Sequence, residues 1–167
     1  MAKALAAIHV PIVKTITGTG TFEGADCLWV DRETAILARS SRTNESGYHQ
    51  VANVLREQGV KTILTVPIPY TNAHLDGIMN FVDVDKAIIN TRQVPYDVVE
   101  YLMNAGYKII DAPDQDEARF SLGLNIVALR PGVVIQAEGN PKTKEALEQN
   151  GVEVVSIHFD EILKGWG

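Results

Sequence analysis

The stretch TFEGADCLWV, residues 21–30, sets two carboxylates, Glu23 and Asp26, beside Cys27, the single cysteine of the chain. Further on, NAHLDGIMNF carries His74 and Asp76. A histidine grouped with acids suits two kinds of chemistry. The acids can hold a cation through charge-assisted, paired hydrogen bonds. They can also orient a histidine that gives and takes protons. A planar guanidinium fits the first role well, because its paired N–H donors match the geometry of a carboxylate. Asp26 has a second reading, in which it satisfies backbone amides at a turn. Cys27 sits inside an apolar run, where a thiol is ordinarily buried and inert.

These residues can act together only if the fold gathers them, and the sequence repeats in a way that would. EQGVKTILTVP, NAGYKIIDAP and QNGVEVVSI each read as a helix end, a glycine and a β-rich run. The glycines are Gly59, Gly106 and Gly151, 47 and 45 residues apart, and glycine suits the left-handed turn that follows a helix. Ahead of each lies a helical stretch, expected near 44–58 with Asn44 as its N-cap, near 95–105 and near 140–150. Ahead of each helix lie two apolar runs split by a turn: DCLWVDRETAILARS, IMNFVDVDKAIIN and NIVALRPGVVIQA. The closing strands are expected near 61–66, 107–111 and 153–158.

The expected fold class is therefore α/β, a single partial domain over 1–167 built from ββαβ units at 21–67, 74–113 and 122–163. A period of this size marks a repeat architecture such as a propeller. Residues 1–17 resemble the helix end and last strand of a preceding unit, with His9 near the glycine position. In a ring of such units equivalent edges converge, which would bring Glu23, Asp26, His74 and Asp76 to one central site.

Composition sets the outer limits. The chain has 167 residues, 46% hydrophobic and 22% charged, with a formal net charge of −6. That is enough for one domain with a real core. Scattered basic residues under a negative net charge argue against a nucleic-acid partner. No apolar run approaches membrane-spanning length, and a single cysteine fits a reducing compartment, so a cytoplasmic location is expected. No metal-ligand cluster or cofactor motif is present, and neither a metal nor a cofactor is expected.

The ordered set FEGAD, SSRTNESG (40–47), HLD (74–76) and LNIVALRPGVVI (124–135) resembles the guanidino-group modifying enzymes. These include arginine and agmatine deiminases, dimethylarginine dimethylaminohydrolase and the glycine or inosamine amidinotransferases. The resemblance covers nearly the whole chain, and NTRQVPYDVVEYLMNAGYKII is closest to the amidinotransferases. It implies a ring of five ββαβ units, of which this chain would hold about three and the remnant of another. It also implies an arginine-like substrate and covalent catalysis, in which a cysteine thiolate attacks the guanidinium carbon and expels an amine or ammonia.

On this resemblance His74 is the general acid/base and Glu23 the acid that pairs with it or with the guanidinium. Asp76 binds the guanidinium nitrogens. One of Arg42 and Arg92 takes the substrate carboxylate, the first as in deiminases, the second as in amidinotransferases. The family's nucleophile follows a glycine-rich run near the C-terminus, where this chain closes on KGWG. Cys27 matches an apolar family position instead. The expectation is thus a chain without its nucleophile, inactive alone, that self-associates or meets a partner carrying the missing units. The alternatives are a non-catalytic binding protein on the same ring, as in a ribosome anti-association factor, and one subunit of a split enzyme.

Overall fold

A computed structural model describes residues 2–159 and 161. The closing KGWG, about where the glycine-rich run is expected, lies outside the described residues. After α1 (Ala2–Ala7) come β1 (Cys27–Trp29), β2 (Thr34–Arg39), α2 (Glu45–Glu57) and β3 (Thr62–Pro67). Then follow β4 (Met79–Asp83), β5 (Lys86–Ile89), α3 (Tyr96–Asn104) and β6 (Lys108–Asp111). α4 (Gln115–Phe120) precedes β7 (Val127–Arg130), β8 (Val133–Ala137), α5 (Pro141–Gln149) and β9 (Glu153–Ile157). The strands make three separate three-stranded sheets, β1-β2-β3, β4-β5-β6 and β7-β8-β9. In each, the first two strands are antiparallel and the third, after its helix, returns parallel to the second. The helices and closing strands fall within a residue or two of the positions the repeat predicts.

One helix ending recurs four times. The N–H groups of Val60, Tyr107 and Val152 donate to the carbonyls of Leu55, Leu102 and Leu147, five residues back, at 2.9–3.0 Å. The residue before each is a glycine at φ +100°, +91° and +75°. At the N-terminus Val10 N–H donates to Leu5 O at 2.9 Å, and His9 takes the glycine's place at φ +57°. Residues 10–17 carry the apolar pattern of a closing strand but form none. A strand exists through its ladder partner, and in the other three cases that partner is the second strand of the preceding hairpin.

Alternation along the middle strands builds a core of stacked layers. Ala35 and Leu37 face Ala52 and Leu55 of α2. Ile36 and Ala38 point the other way, into a cluster with Val98 and Leu102 of α3 and with Ala87 and Ile89 of the second sheet. On the opposite face of that sheet Val82, Ile88 and Ile110 join Leu147 of α5 and Val134 and Val154 of the third sheet. Each fully buried Leu or Ile here contributes about 1.5–3 kcal/mol. The layering stops at the outer face of the third sheet, where the laterally paired Val127, Ile135 and Val155 sit. Val127 is 59% exposed and Val155 37%. Among the described residues no helix is long and apolar enough to cross a membrane.

α4 is the one helix the repeat does not announce. Its signal is local: Asp114 Oδ1 accepts from the N–H groups of Asp116 and Glu117, an acidic N-cap with a glutamate three residues on. Glu117 then reaches across to α5, accepting from Lys142 N–H, Thr143 N–H and Thr143 Oγ1 at 2.7–2.9 Å.

Candidate active site

The candidate residues lie on the loops that enter β1 and β4. Each loop closes with a single 3-10 turn, Gly24–Asp26 in the first and Leu75–Gly77 in the second. The first loop is seated by α2. Asn44 Oδ1 caps that helix at Gly47 N–H, 2.9 Å, and accepts Thr21 N–H at 3.1 Å. Gly47 lets the two backbones touch: a Cβ there would lie 1.8 Å from the Thr21 carbonyl oxygen. The SSRTN segment holds the rest. Thr43 Oγ1 accepts Glu23 N–H at 3.2 Å, and Ser40 Oγ, which accepts from the N–H groups of Arg42 and Thr43, donates to Asp26 Oδ2 at 2.6 Å.

The two loops are then joined. His74 Nε2 and Glu23 Oε2 are 2.5 Å apart, a short charge-assisted contact at a partly open surface. The next residue, Leu75, donates its N–H to Asp26 Oδ1 at 3.1 Å. Asp26 is fully buried, and its oxygens accept from Ser40 and Leu75. It ties one loop to the other.

Asp76 stands on the same turn as His74. Its Oδ1 is buried and has no hydrogen-bond partner among the described residues. Burial pushes its carboxyl above the ordinary carboxylate range; the Asp26 charge pushes it further up, and the His74 charge pulls it down. A buried acceptor without a donor costs about 1–3 kcal/mol, and a cation delivered to it relieves that cost. Asn80 fixes the turn from below, its Nδ2 donating to Asp76 O at 2.9 Å and to Leu124 O at 2.7 Å.

His74 and Asp76 line a small cleft together with Arg119, Leu122 and Asn125. Neither Arg42 nor Arg92, the two carboxylate-binding candidates from sequence, is among its lining residues; both are exposed, as is Arg119. Sequence reasoning passed over Arg119, because α4 was not expected, and over Asn80 and Ser40, whose roles depend on partners far away in the chain. Cys27 belongs to the cluster under α2, half-buried, and burial pushes its thiol up. Among the described residues no group of three or more His, Cys, Asp or Glu side chains is placed to hold a metal ion.

The arginine deiminase family matches residues 1–100 and 94–167, which together span the chain. The arginine deiminase of Mycoplasma capricolum subsp. capricolum is 27% identical over 179 residues, covering 88% of this chain and 44% of its own length. The 2-nitroimidazole nitrohydrolase of Mycobacterium sp. (strain JS330) is 24% identical, covering 96% of this chain and 45% of its own. The chain thus spans about half the length of the curated relatives it matches.

Among solved structures, the N-terminal domain of ArgZ, an arginine dihydrolase from cyanobacteria bound to its product, matches 99% of this chain and 60% of its own. The TM-score is 0.80 at 18% identity. The dimethylarginine dimethylaminohydrolase of Pseudomonas aeruginosa, complexed with citrulline, covers 91% of this chain and 55% of its own, at TM-score 0.72 and 22% identity. An inosamine-phosphate amidinotransferase from Streptomyces griseus covers 83% and 41%, at TM-score 0.67 and 17% identity. The shared fold is a mixed α/β arrangement of small sheets.

Proposed function

The chain belongs to the arginine deiminase family, and on that premise we propose that its Glu23–His74–Asp76 edge binds the guanidinium of an arginine-like molecule, as part of a hydrolase or amidinotransferase site. One observation carries this reading: the 2.5 Å contact of His74 Nε2 with Glu23 Oε2, beside an Asp76 whose buried Oδ1 has no donor among the described residues. A guanidinium supplies that donor and a charge that offsets the burial of the carboxylate. Glu23 orients the imidazole, and His74 moves the protons. Asp26 contributes from beneath, and Arg42 or Arg92 by the resemblance alone.

In the covalent step a thiolate sulfur bonds to the guanidinium carbon and the carbon–nitrogen bond breaks. The leaving nitrogen takes its proton from His74. Water or an amine then attacks the same carbon, the carbon–sulfur bond breaks, and His74 recovers a proton from the attacker. Cys27, half-buried with its thiol pushed up by burial, is ill-suited to this role, and it is the only cysteine in these 167 residues. The thiolate in this reading comes from elsewhere. The segments 21–67, 74–113 and 122–163 are three units of a five-unit ring. The exposed outer face of the third sheet and the unpaired residues 10–17 support it, as surfaces for further units, a second copy or a partner chain.

The test is calorimetric titration of the whole chain with L-arginine, alongside citrulline, ornithine and ammonia assays. Binding is expected in the wild type and a loss of tenfold or more in His74→Ala and Asp76→Asn, with no turnover. A wild type that does not bind L-arginine sinks the reading. Turnover that vanishes in both His74→Ala and Cys27→Ser would make Cys27 the nucleophile.

A further inference from the structure

We propose that Ser40 is a positioning residue of this site, which acts through Asp26 to set where His74 meets Glu23. The proposal rests on the reading of His74 and Glu23 as the pair that works on the guanidinium. SSRTN is one of the segments that carry the resemblance to the guanidino-modifying enzymes, and Arg42 is the member given a role by it. In the structure Arg42 is exposed and is not among the residues that line the cleft. Its neighbours Ser40 and Thr43 are the ones whose side chains reach the site residues.

Donors and acceptors fix the direction of each bond. Residues 40–43 form a closed turn, with Ser40 N–H donating to Thr43 O at 3.0 Å. Inside it Ser40 Oγ accepts from the N–H groups of Arg42 and Thr43, at 3.0 and 3.1 Å. A hydroxyl has two lone pairs and one proton. With both lone pairs taken, the proton goes to Asp26 Oδ2, 2.6 Å away. Asp26 Oδ1 accepts Leu75 N–H at 3.1 Å. Position 26 therefore needs an acceptor at both ends. A carboxylate meets that need; an amide of the same shape does not, because its nitrogen only donates. Asp26 is fully buried, so a lost bond leaves a group stranded away from water. Two further links reach the chemistry. Leu75 follows His74 in the chain, so Asp26 holds the backbone on which the imidazole stands. Thr43 Oγ1 accepts Glu23 N–H at 3.2 Å, and Asp26 N–H donates to Glu23 O at 3.0 Å. One turn thus places both partners of the 2.5 Å His74–Glu23 contact, which depends on distance and angle.

The experiment follows the ring nitrogens of His74 by long-range proton–nitrogen NMR of the full chain without ligand. His74→Gln assigns the signal, and Glu23→Gln marks its position when the charged contact is lost. Ser40→Ala and Asp26→Asn should each move the His74 signal toward that of Glu23→Gln, and should weaken L-arginine about tenfold in calorimetric titration. Ser40→Thr, which keeps the hydroxyl, should restore both. Thr143→Ala deletes the same kind of bond in the third unit, Thr143 Oγ1 to Glu117 Oε2 at 2.7 Å, and should leave the His74 signal in place. A signal unmoved in Ser40→Ala overturns the proposal, as does one that Thr143→Ala moves equally. Should Ser40→Ala not fold, an unmoved signal in Asp26→Asn overturns it in the same way. A signal that moves as expected in a protein that binds no L-arginine upholds the positioning role and removes the guanidinium reading.

Discussion

The loops that enter β1 and β4, and the loop that enters β7, are held by different chemistry. In the first two, the fastening groups are carboxylates: Asp26 takes Ser40 and Leu75, and Glu23 takes His74. In the third, the loop that enters β7 is fastened by neutral amides. Asn80, Gln136 and Asn140, all buried, donate to the carbonyls of Leu124, Gly123 and Ser121 at 2.7–2.9 Å. Carboxylates hold more strongly and can answer to a charged ligand. Amides hold with less strength and with no dependence on pH. The loops that carry proposed chemistry are charged, and the loop that shapes the wall is not.

The largest effect should come from breaking the charged tie. Asp26→Ala strands Leu75 N–H in the core and frees Ser40, at a cost of about 3 kcal/mol, read from urea unfolding; a loss below about 1 kcal/mol would show that the loops are joined by other means. Asn80→Ala removes both donors that couple Asp76 to Leu124. It should cost about 2 kcal/mol, by the same amount at pH 5 and pH 8, and a pH-dependent cost would contradict the neutral character of the second fastening.

Asp76→Asn runs the other way. The folded Asp76 carboxyl keeps its proton to a higher pH than the ordinary 3.8. Folding is therefore penalised as pH rises from 3.8 through that raised value, and the penalty is fully present above it. The variant should be more stable by about 1 kcal/mol at pH 7, with a gain that fades in acid, while binding L-arginine tenfold or more weakly. Wild-type affinity for L-arginine should likewise fall as pH drops into that window. Equal stability of variant and wild type at pH 7 would remove the case for a strained carboxylate. The smallest change in stability belongs to Glu23→Gln. Its partly exposed pair with His74 is worth under about 0.5 kcal/mol to the fold, yet binding should weaken by about tenfold.

Much of this was legible in the sequence because the signals are short-ranged. Gly59, Gly106 and Gly151 mark helix ends by the backbone they allow, and Asn44 marks a helix start by the amide it can accept. Strict alternation in Ala35–Ala38 reports a strand buried on both faces only once the neighbouring helices are placed. α4 carried an acidic cap of the same local kind and was passed over because it breaks the repeat. The joining of His74 to Glu23 was expected from the equivalence of the loops and is found at 2.5 Å.

By itself, then, the sequence determined the repeating unit, its helix ends and strands, and which acids and histidine enter on equivalent loops. Each of these depends on the backbone preferences and side-chain reach of residues within a few positions of one another. Only the tertiary structure decided that Asp26 ties the two loops together, that Asp76 keeps an oxygen without a donor among the described residues, and that Arg119, rather than Arg42 or Arg92, lines the cleft. Those outcomes turn on partners roughly 40–50 residues apart in the chain. Burial and direction at such separations are set by how three sheets and their helices stack, which no local pattern records.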